Sequence, residues 1–367
     1  MTSEAGYNVA ILGATGAVGT RILAQLEQST IPVKSLKLLA SVRSAGQTRQ
    51  FKGQDIVVEE ATPDSFDGID LVLASAGGSL AGSLLPEAVK RGAVAVDNSS
   101  RWRMDPKVPL VVPEVNPEAL ADHQGIIANP NCSTIQMVVA LEPLRQAYGL
   151  NQVIVSTYQA ASGAGQRAWD ELLHQAQQHL DGEEETADIL PTKGDKKHYP
   201  LAFNLLPQID VFQEDGYTFE EQKMMQETKK ILFGDPHSSE VKVTATAVRV
   251  PVPIGHGESV YVSVDDETAT REDVQRVLAS APGVVLEDNP DEQLYPQPIK
   301  AEGKRETFVG RVRADIENPG SFNMWVVSDN LLKGAAWNTV QIAEELVKRD
   351  FIQIKGERDK SRFEAGV

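Results

Sequence analysis

The amino-acid sequence predicts an α/β chain, with a doubly wound parallel sheet followed by an α+β domain whose sheet is largely antiparallel. Three observations predict it. Apolar runs rich in Val, Ile and Leu alternate with helix-like stretches over the first 130 residues. A glycine-rich loop follows the first of those runs directly. Beyond about Cys132 the strand-like runs lengthen and the crossovers become fewer.

The early strands are read at Tyr7–Leu12, Ser35–Ala40, Ile69–Ala74 and Ala93–Val96, near-continuous in apolar residues as strands covered on both faces should be. Between them, Ala17–Gln28 and Leu80–Arg91 have helical periodicity. A helix over Ser133–Gln146, capped by Ser133 or Thr134, opens the second part. Longer strands are expected at Gln152–Gln159, Val241–Arg249, Ser259–Val264, Phe308–Ala314 and Phe322–Val327. Helices are expected at Ala164–His179, Phe219–Leu232 and Glu272–Ala279. The polar segment Asp181–Tyr199 reads as an exposed loop. Leu332–Arg349 is an amphipathic helix suited to packing back on the first domain, and the charged tail Lys355–Val367 should fray. The predicted division is therefore 1–131, completed by a C-terminal helix within 331–367, and 132–330.

Composition narrows the function. The 367 residues carry 35 Lys+Arg against 52 Asp+Glu, a net charge of −17, which repels nucleic acid and anionic lipid. No run approaches the roughly 20 apolar residues that a membrane helix needs, so neither membrane nor nucleic acid is an expected partner. The start MTSEAGYNVAILG lacks a basic segment followed by an apolar one, so secretion is not signalled. One cysteine excludes an intrachain disulfide and fits a reducing cytoplasm.

Gly13-Ala14-Thr15-Gly16-Ala17-Val18-Gly19 lies between the first strand and the first helix, the position of a dinucleotide fingerprint. Its glycines permit a tight turn and close backbone approach to a pyrophosphate, and the helix start offers free N–H groups to the phosphates. An enzyme that prefers NAD usually places a carboxylate at the end of the second strand, to hold the ribose 2′-hydroxyl. Here the run is Ala40-Ser41-Val42-Arg43-Ser44-Ala45-Gly46, with a guanidinium and two hydroxyls. That set suits a 2′-phosphate and predicts NADP.

Cys132 sits in Asn129-Pro130-Asn131-Cys132-Ser133-Thr134, at the start of a predicted helix and at the predicted domain junction. A helix N-terminus favours the thiolate, and polar flanks suit a reactive thiol better than a core one. Such a nucleophile needs a partner. His174 and His179 fall on an exposed helix, His198 and His237 in polar loops, and His123 after an acidic segment. His256, in Pro253-Ile254-Gly255-His256-Gly257-Glu258, is flanked by glycines between two strands and is the candidate acid/base partner.

GATGAVG, SVRSAG, NPNCST, TYQAASGAG, RVPVPIGHGE and DNLLKGAAWNTVQI occur in this order, and together they resemble the aspartate-β-semialdehyde dehydrogenase family from about Tyr7 to Val347. The resemblance implies a Rossmann-type NADP-binding domain and a catalytic and dimerisation domain. It implies reversible, NADPH-dependent reductive dephosphorylation of L-aspartyl-β-phosphate to L-aspartate-β-semialdehyde, serving lysine, threonine and methionine biosynthesis. It also implies a homodimer or dimer of dimers joined through the second domain's sheet, and no metal. Cys132 then matches the nucleophile that forms an acyl-enzyme, His256 its acid/base partner and Gln159 a residue that orients the intermediate. Arg249 matches the binder of the substrate α-carboxylate, Glu220 the ligand of its amino group and Lys223 a phosphate ligand. Glu221 is the alternative to Glu220. Arg103 matches the family's phosphate-binding arginine, with Arg101 as the alternative. Implied cofactor contacts are Gly13, Thr15, Gly16, Ala17, Val18, Ser41, Arg43, Ser44, Ser75 and Gly77, with Ser162, Gly163 and Asn330 from the later motifs. Donors for the developing oxyanion are expected from backbone N–H groups at the Cys132 helix start.

The nearest rival is an N-acetyl-γ-glutamyl-phosphate reductase. Its cysteine motif differs from NPNCST, and its N-acylated substrate would leave Glu220 without a role. Glyceraldehyde-3-phosphate dehydrogenase shares the thioester logic with a different cysteine motif and prefers NAD. A non-catalytic NADPH sensor on the same fold is the rival of another class.

Overall fold

A computed structural model describes residues 6–352. The chain divides into two compact units, one formed by 6–130 with 335–352 and the other by 131–334.

The first unit opens with β1 (Tyr7–Leu12), α1 (Ala17–Glu27) and β2 (Val33–Ala40). A hairpin of β3 (Thr48–Phe51) and β4 (Gln54–Glu60) follows, then β5 (Leu71–Ala74), α2 (Gly78–Lys90), β6 (Val94–Asp97) and β7 (Ile126–Ala128). The sheet order is β3-β4-β2-β1-β5-β6-β7, and every pairing is parallel except β3 with β4. Leu71–Ala74 and Val94–Asp97 are buried at every position, as central strands covered on both faces must be. The antiparallel edge hairpin and the short β7 are additions to the elements read from the sequence.

The second unit begins with α3 (Cys132–Tyr148), β8 (Gln152–Gln159), α4 (Gln166–Asp181) and α5 (Phe219–Phe233). It continues through β9 (Lys242–Arg249), β10 (His256–Ser263), α6 (Arg271–Ser280), β11 (Val284–Leu286), α7 (Pro298–Ala301), β12 (Thr307–Ala314) and β13 (Ser321–Ser328). The sheet order is β11-β12-β13-β10-β8-β9. The three central pairings are antiparallel, while β11–β12 and β8–β9 at the two edges are parallel. Burial alternates along β8, so one sheet face packs inward while Ile154 and Tyr158 stay exposed on the other.

Three local expectations are corrected. The cap of α3 is Asn131, not Ser133 or Thr134: its side chain accepts the N–H groups of both those residues. The segment 181–199 has no regular element, yet it is not wholly exposed. Leu190 is buried and joins a cluster with Leu172, Leu201 and Leu206 that repays ordering the loop. The C-terminal helix α8 (Trp337–Lys348) starts later than read, because Leu332–Ala336 forms a wide π-type turn before it. Within the first unit α8 packs on α1 and on β6. The fraying expected of Lys355–Val367 lies outside the described residues.

Candidate active site

In the first unit the loop from Gly13 to Gly19 is shaped by close backbone contact. Gly13 has φ +84°, and a Cβ there would lie 2.7 Å from the Ser75 carbonyl oxygen. A Cβ on Gly19 would collide with the Gly13 carbonyl oxygen. Gly16 and Gly77 stand before α1 and α2 in extended conformation, and no side chain caps either helix. The first-turn amides, including those of Ala17 and Val18, are therefore left to an anion. Thr15 Oγ1 donates to Ser44 Oγ at 3.3 Å, tying this loop to the segment after β2, where Ser41 and Arg43 are exposed. Ser75 Oγ is buried and has no hydrogen-bond partner among the described residues. Uncapped helix starts, a guanidinium beside two hydroxyls and an orphaned hydroxyl fit a phosphorylated dinucleotide.

Of the two candidate phosphate arginines, Arg103 is the buried one. Its Nε donates to the Asn129 carbonyl at 3.0 Å and its Nη2 to the Asn98 carbonyl at 2.8 Å. Arg101 is exposed and lies 5.1 Å over the Trp102 ring.

In the second unit, Cys132, Gln159, Glu220, Lys223, Arg249 and His256 come together from α3, the end of β8, α5, the end of β9 and the start of β10. Cys132 Sγ lies 3.3 Å from His256 Nε2. His256 is the first residue of β10, wholly buried, rather than a residue of the connecting loop. Its Nδ1 accepts the Ala160 backbone N–H at 3.0 Å. Arg249 is 4% exposed, and its Nη1 donates to the Ala160 carbonyl at 2.8 Å. Its Nε is buried and has no hydrogen-bond partner among the described residues. Gly163 makes room for both groups: a Cβ there would lie 2.8 Å from Arg249 Nη1 and 3.3 Å from His256 Nε2.

Glu220 accepts from Asn131 Nδ2 at 2.9 Å and Gln159 Nε2 at 3.1 Å, and it pairs with Lys223 Nζ at 2.7 Å. The i, i+3 spacing places Glu220 and Lys223 on one face of α5. Glu221 is spent elsewhere: it closes the capping box of α5 with Thr218 and accepts the Ala247 N–H. Lys223 also pairs with Asp210 at 3.0 Å, so two carboxylates hold it.

The charges shape one another. Burial pushes His256 down to about 3, and the Arg249 guanidinium adds to the effect against the opposing Glu220. The ring is therefore neutral at physiological pH. Burial resists ionisation of Glu220, but the attraction and hydrogen bond of Lys223, with those of Asn131 and Gln159, bring it down to about 2. Burial also lowers Arg249, with Glu220 and Cys132 opposing.

Other candidates sit differently. Ser162 and Asn330 are buried and bond each other, Asn330 Nδ2 donating to Ser162 Oγ at 3.1 Å. Asn330 Oδ1 also accepts the Gly255 N–H at 2.9 Å, which fastens the turn leading into His256. Backbone donors at the start of α3 are not all available, because the Ser133 and Thr134 amides are bound by Asn131 Oδ1 at 3.0 and 3.3 Å. The sequence reading missed Asn131 as a site residue, although Asn before a helix is a strong capping signal. It also missed Glu227, which accepts the Asn131 N–H at 2.6 Å, and the buried Gln136; Glu258 ends the quoted His256 motif but was given no role.

The description "Semialdehyde dehydrogenase, NAD binding domain" matches residues 8–123, and "Semialdehyde dehydrogenase, dimerisation domain" matches 141–333. The aspartate-semialdehyde dehydrogenase of Bacillus subtilis (strain 168) is 58% identical over 95% of this chain and 99% of its own. The crystal structure of aspartate semialdehyde dehydrogenase II from Vibrio cholerae, complexed with ASA, is 44% identical with TM-score 0.86, covering 94% of this chain and 99% of that one. The Candida albicans enzyme with NADP is 29% identical with TM-score 0.73, covering 95% of this chain and 100% of that one. On these matches, which span both units, the chain belongs to the aspartate-semialdehyde dehydrogenase family of oxidoreductases.

Proposed function

We propose that this chain catalyses the reversible, NADPH-dependent reductive dephosphorylation of L-aspartyl-β-phosphate to L-aspartate-β-semialdehyde through a thioester on Cys132. The product would feed lysine, threonine and methionine synthesis. The observation that carries the reading is the Cys132–His256 pair at 3.3 Å beside a buried guanidinium with an unpartnered Nε. Thiol and imidazole supply nucleophilic chemistry. An unpaired buried donor is costly unless a ligand meets it, and the substrate α-carboxylate is the ligand that Arg249 suits.

In this mechanism the Cys132 thiolate attacks the acyl carbon and the phosphate leaves, its charge offset by Arg103 and Lys223. Glu220 holds the substrate ammonium and Gln159 orients the acyl group. His256 faces the reacting sulfur. When bound, the reduced nicotinamide supplies a hydride to the thioester carbon. The residues that would hold the cofactor are the glycine-loop backbone, Thr15, Ser75 and the Ser41–Arg43–Ser44 cluster. That cluster contains no carboxylate to repel a 2′-phosphate, which supports NADP over NAD. A homodimer, or a dimer of such dimers, would use the second unit's sheet, whose outer face exposes Ile154 and Tyr158.

The test offers the purified protein L-aspartate semialdehyde and phosphate with NADP or NAD, and N-acetylglutamate semialdehyde as a control. Phosphate-dependent NADPH formation is expected with the first aldehyde alone. Cys132→Ala should lose turnover by more than about a thousandfold while still binding NADPH. Substantial turnover in that variant overturns the mechanism. Arg43→Ala should erode the NADP preference about tenfold, roughly 1.4 kcal/mol; an unchanged ratio removes Arg43 from the cofactor site.

A further inference from the structure

We propose a second small-molecule site at the β11–β12 edge of the second unit's sheet, which binds a free α-amino acid with its carboxylate between Arg311 and Arg313 and its ammonium against Asp288. The site shares no residue with the one that holds Cys132 and does not depend on the reaction proposed there. It lies three strands from β8, whose Ile154 and Tyr158 mark the face proposed for dimerisation.

The backbone builds it. Strand β12 bulges after Gly310: Gly310 pairs with Trp325 of β13 but Arg313 with Asn323, so β12 carries one extra residue. In the bulge Arg311 takes φ +52°, the left-handed region that favours glycine. An arginine held where glycine fits better is strained, and such strain collects at ligand sites. The bulge turns Val312 into the core and leaves Arg311 and Arg313 exposed on either side of it. Gly310 admits the other wall. A Cβ there would collide with the Glu287 carbonyl oxygen, so only glycine lets the segment 287–296 lie against β12. That segment is pinned. Glu287 N–H donates to the Val309 carbonyl at 2.8 Å, Asn289 and Leu294 exchange backbone bonds at 3.1 and 2.9 Å, and Trp325 Nε1 donates to the Pro296 carbonyl at 3.1 Å. The two walls enclose a hollow of about 520 Å³, within the roughly 300–1,000 Å³ of small-molecule sites.

Charge says what fits. Arg311 and Arg313 pair with no carboxylate among the described residues, and Arg313 donates to the Arg311 carbonyl instead. Partial burial lowers Arg313, the neighbouring Arg311 guanidinium lowers it further, and Asp288 opposes both. An anion between two such guanidiniums relieves their repulsion, and a carboxylate offers them two oxygens. Arg271 is committed elsewhere: its Nε donates to the Val312 carbonyl at 2.7 Å and its Nη2 lies 3.5 Å from Asp288 Oδ2.

Asp288 supplies the other half of the recognition. Its side chain is wholly buried, and Oδ2 accepts from Gln275 Nε2 at 2.7 Å and from the Val312 N–H at 3.1 Å. Its Oδ1 is buried with no hydrogen-bond partner among the described residues, a costly state that a donor on a ligand relieves. A plain anion would meet this carboxylate as a like charge. A molecule with carboxylate and ammonium on one carbon satisfies both sides. Pro290, Tyr295 and Ala314 line the rest of the hollow, which suits an uncharged side chain.

The test is ligand-dependent thermal stabilisation of the full protein at fixed ionic strength. The probes are L-alanine, L-valine, L-threonine and L-methionine, each beside its deamino and its decarboxylated analogue. At least one amino acid should bind saturably, with both of its analogues at least about tenfold weaker. Arg311→Gly suits the left-handed turn and removes only the guanidinium. It should weaken binding at least about tenfold and leave kcat/KM without the amino acid unchanged. Arg249→Ala should leave this binding intact, which separates the site from the one beside Cys132. Absence of saturable binding by all four overturns the proposal. So does loss of binding in Arg249→Ala with retention in Arg311→Gly. A deamino analogue that binds as tightly as its amino acid marks a plain anion site and also overturns it. Dissociation of an assembly by Arg311→Gly, with no amino acid bound by the parent, assigns the arginines to a subunit contact instead.

Discussion

At the scale of single residues, Gly163 shows how little space the site leaves. It is exposed, yet a Cβ on it would press on Arg249 Nη1 at 2.8 Å and on His256 Cε1 at 3.2 Å. Gly163→Ala should push the guanidinium off the Ala160 carbonyl and disturb both carboxylate binding and the Cys132–His256 contact. Small misplacements at a reacting centre are expensive, so kcat/KM should fall about 10- to 100-fold. Thermal stability should change by no more than about 0.5 kcal/mol, as for surface positions generally. Parallel kinetics and melting on the variant check this, and parent-like kinetics would show that the contact is dispensable. The identities of Cys132, His256 and Arg249 were legible as motif residues. Their geometry was not, because it depends on which Ala160 backbone atom meets which side chain across three strand ends.

At the scale of elements, α3 is held by the residue before it. Asn131 caps Ser133 and Thr134 with Oδ1 and supports Glu220 with Nδ2. Asn131→Ala should cost about 1–2 kcal/mol by loss of the cap. Asn131→Asp keeps the cap acceptor but faces the carboxylates of Glu220 and Glu227, so at neutral pH it should be the less stable variant despite equal capping strength. Urea denaturation separates the cases; an aspartate variant as stable as the parent would mean the cap is all that matters. The major strands and helices could be read because long apolar periods fix them. The β3–β4 hairpin could not. Its strands are largely exposed, with β3 alone at the sheet edge, and its turn places Lys52 at φ 48° and Gly53 at φ 76°, a two-residue turn without the usual Asn-Gly or Asp-Gly signature.

At the scale of the whole molecule, buried titrating groups should tilt stability with pH in opposite directions. His256 sits at about 3 in the fold against an ordinary 6.5, so between those values the unfolded chain binds a proton that the folded chain refuses. Stability therefore falls as pH drops through that window. Glu220, brought down to about 2, adds a loss below the ordinary 4.5 as its carboxylate is protonated. Glu258 acts the other way. Burial raises it well above 4.5, opposed by hydrogen bonding from Gln136 and helped by Glu220. Above pH 4.5 the unfolded chain releases a proton that the folded chain keeps, so this group costs more stability as pH rises toward its folded value. Glu258→Gln removes the ionisation and retains the shape, and its amide can donate to Gln136 Oε1, which lacks a partner. The variant should gain stability relative to the parent as pH rises from about 4 to about 8, because it has no carboxyl to hold protonated. Denaturant midpoints across that range decide the matter, since curves for parent and variant that run parallel would mean Glu258 does not hold its proton in the fold.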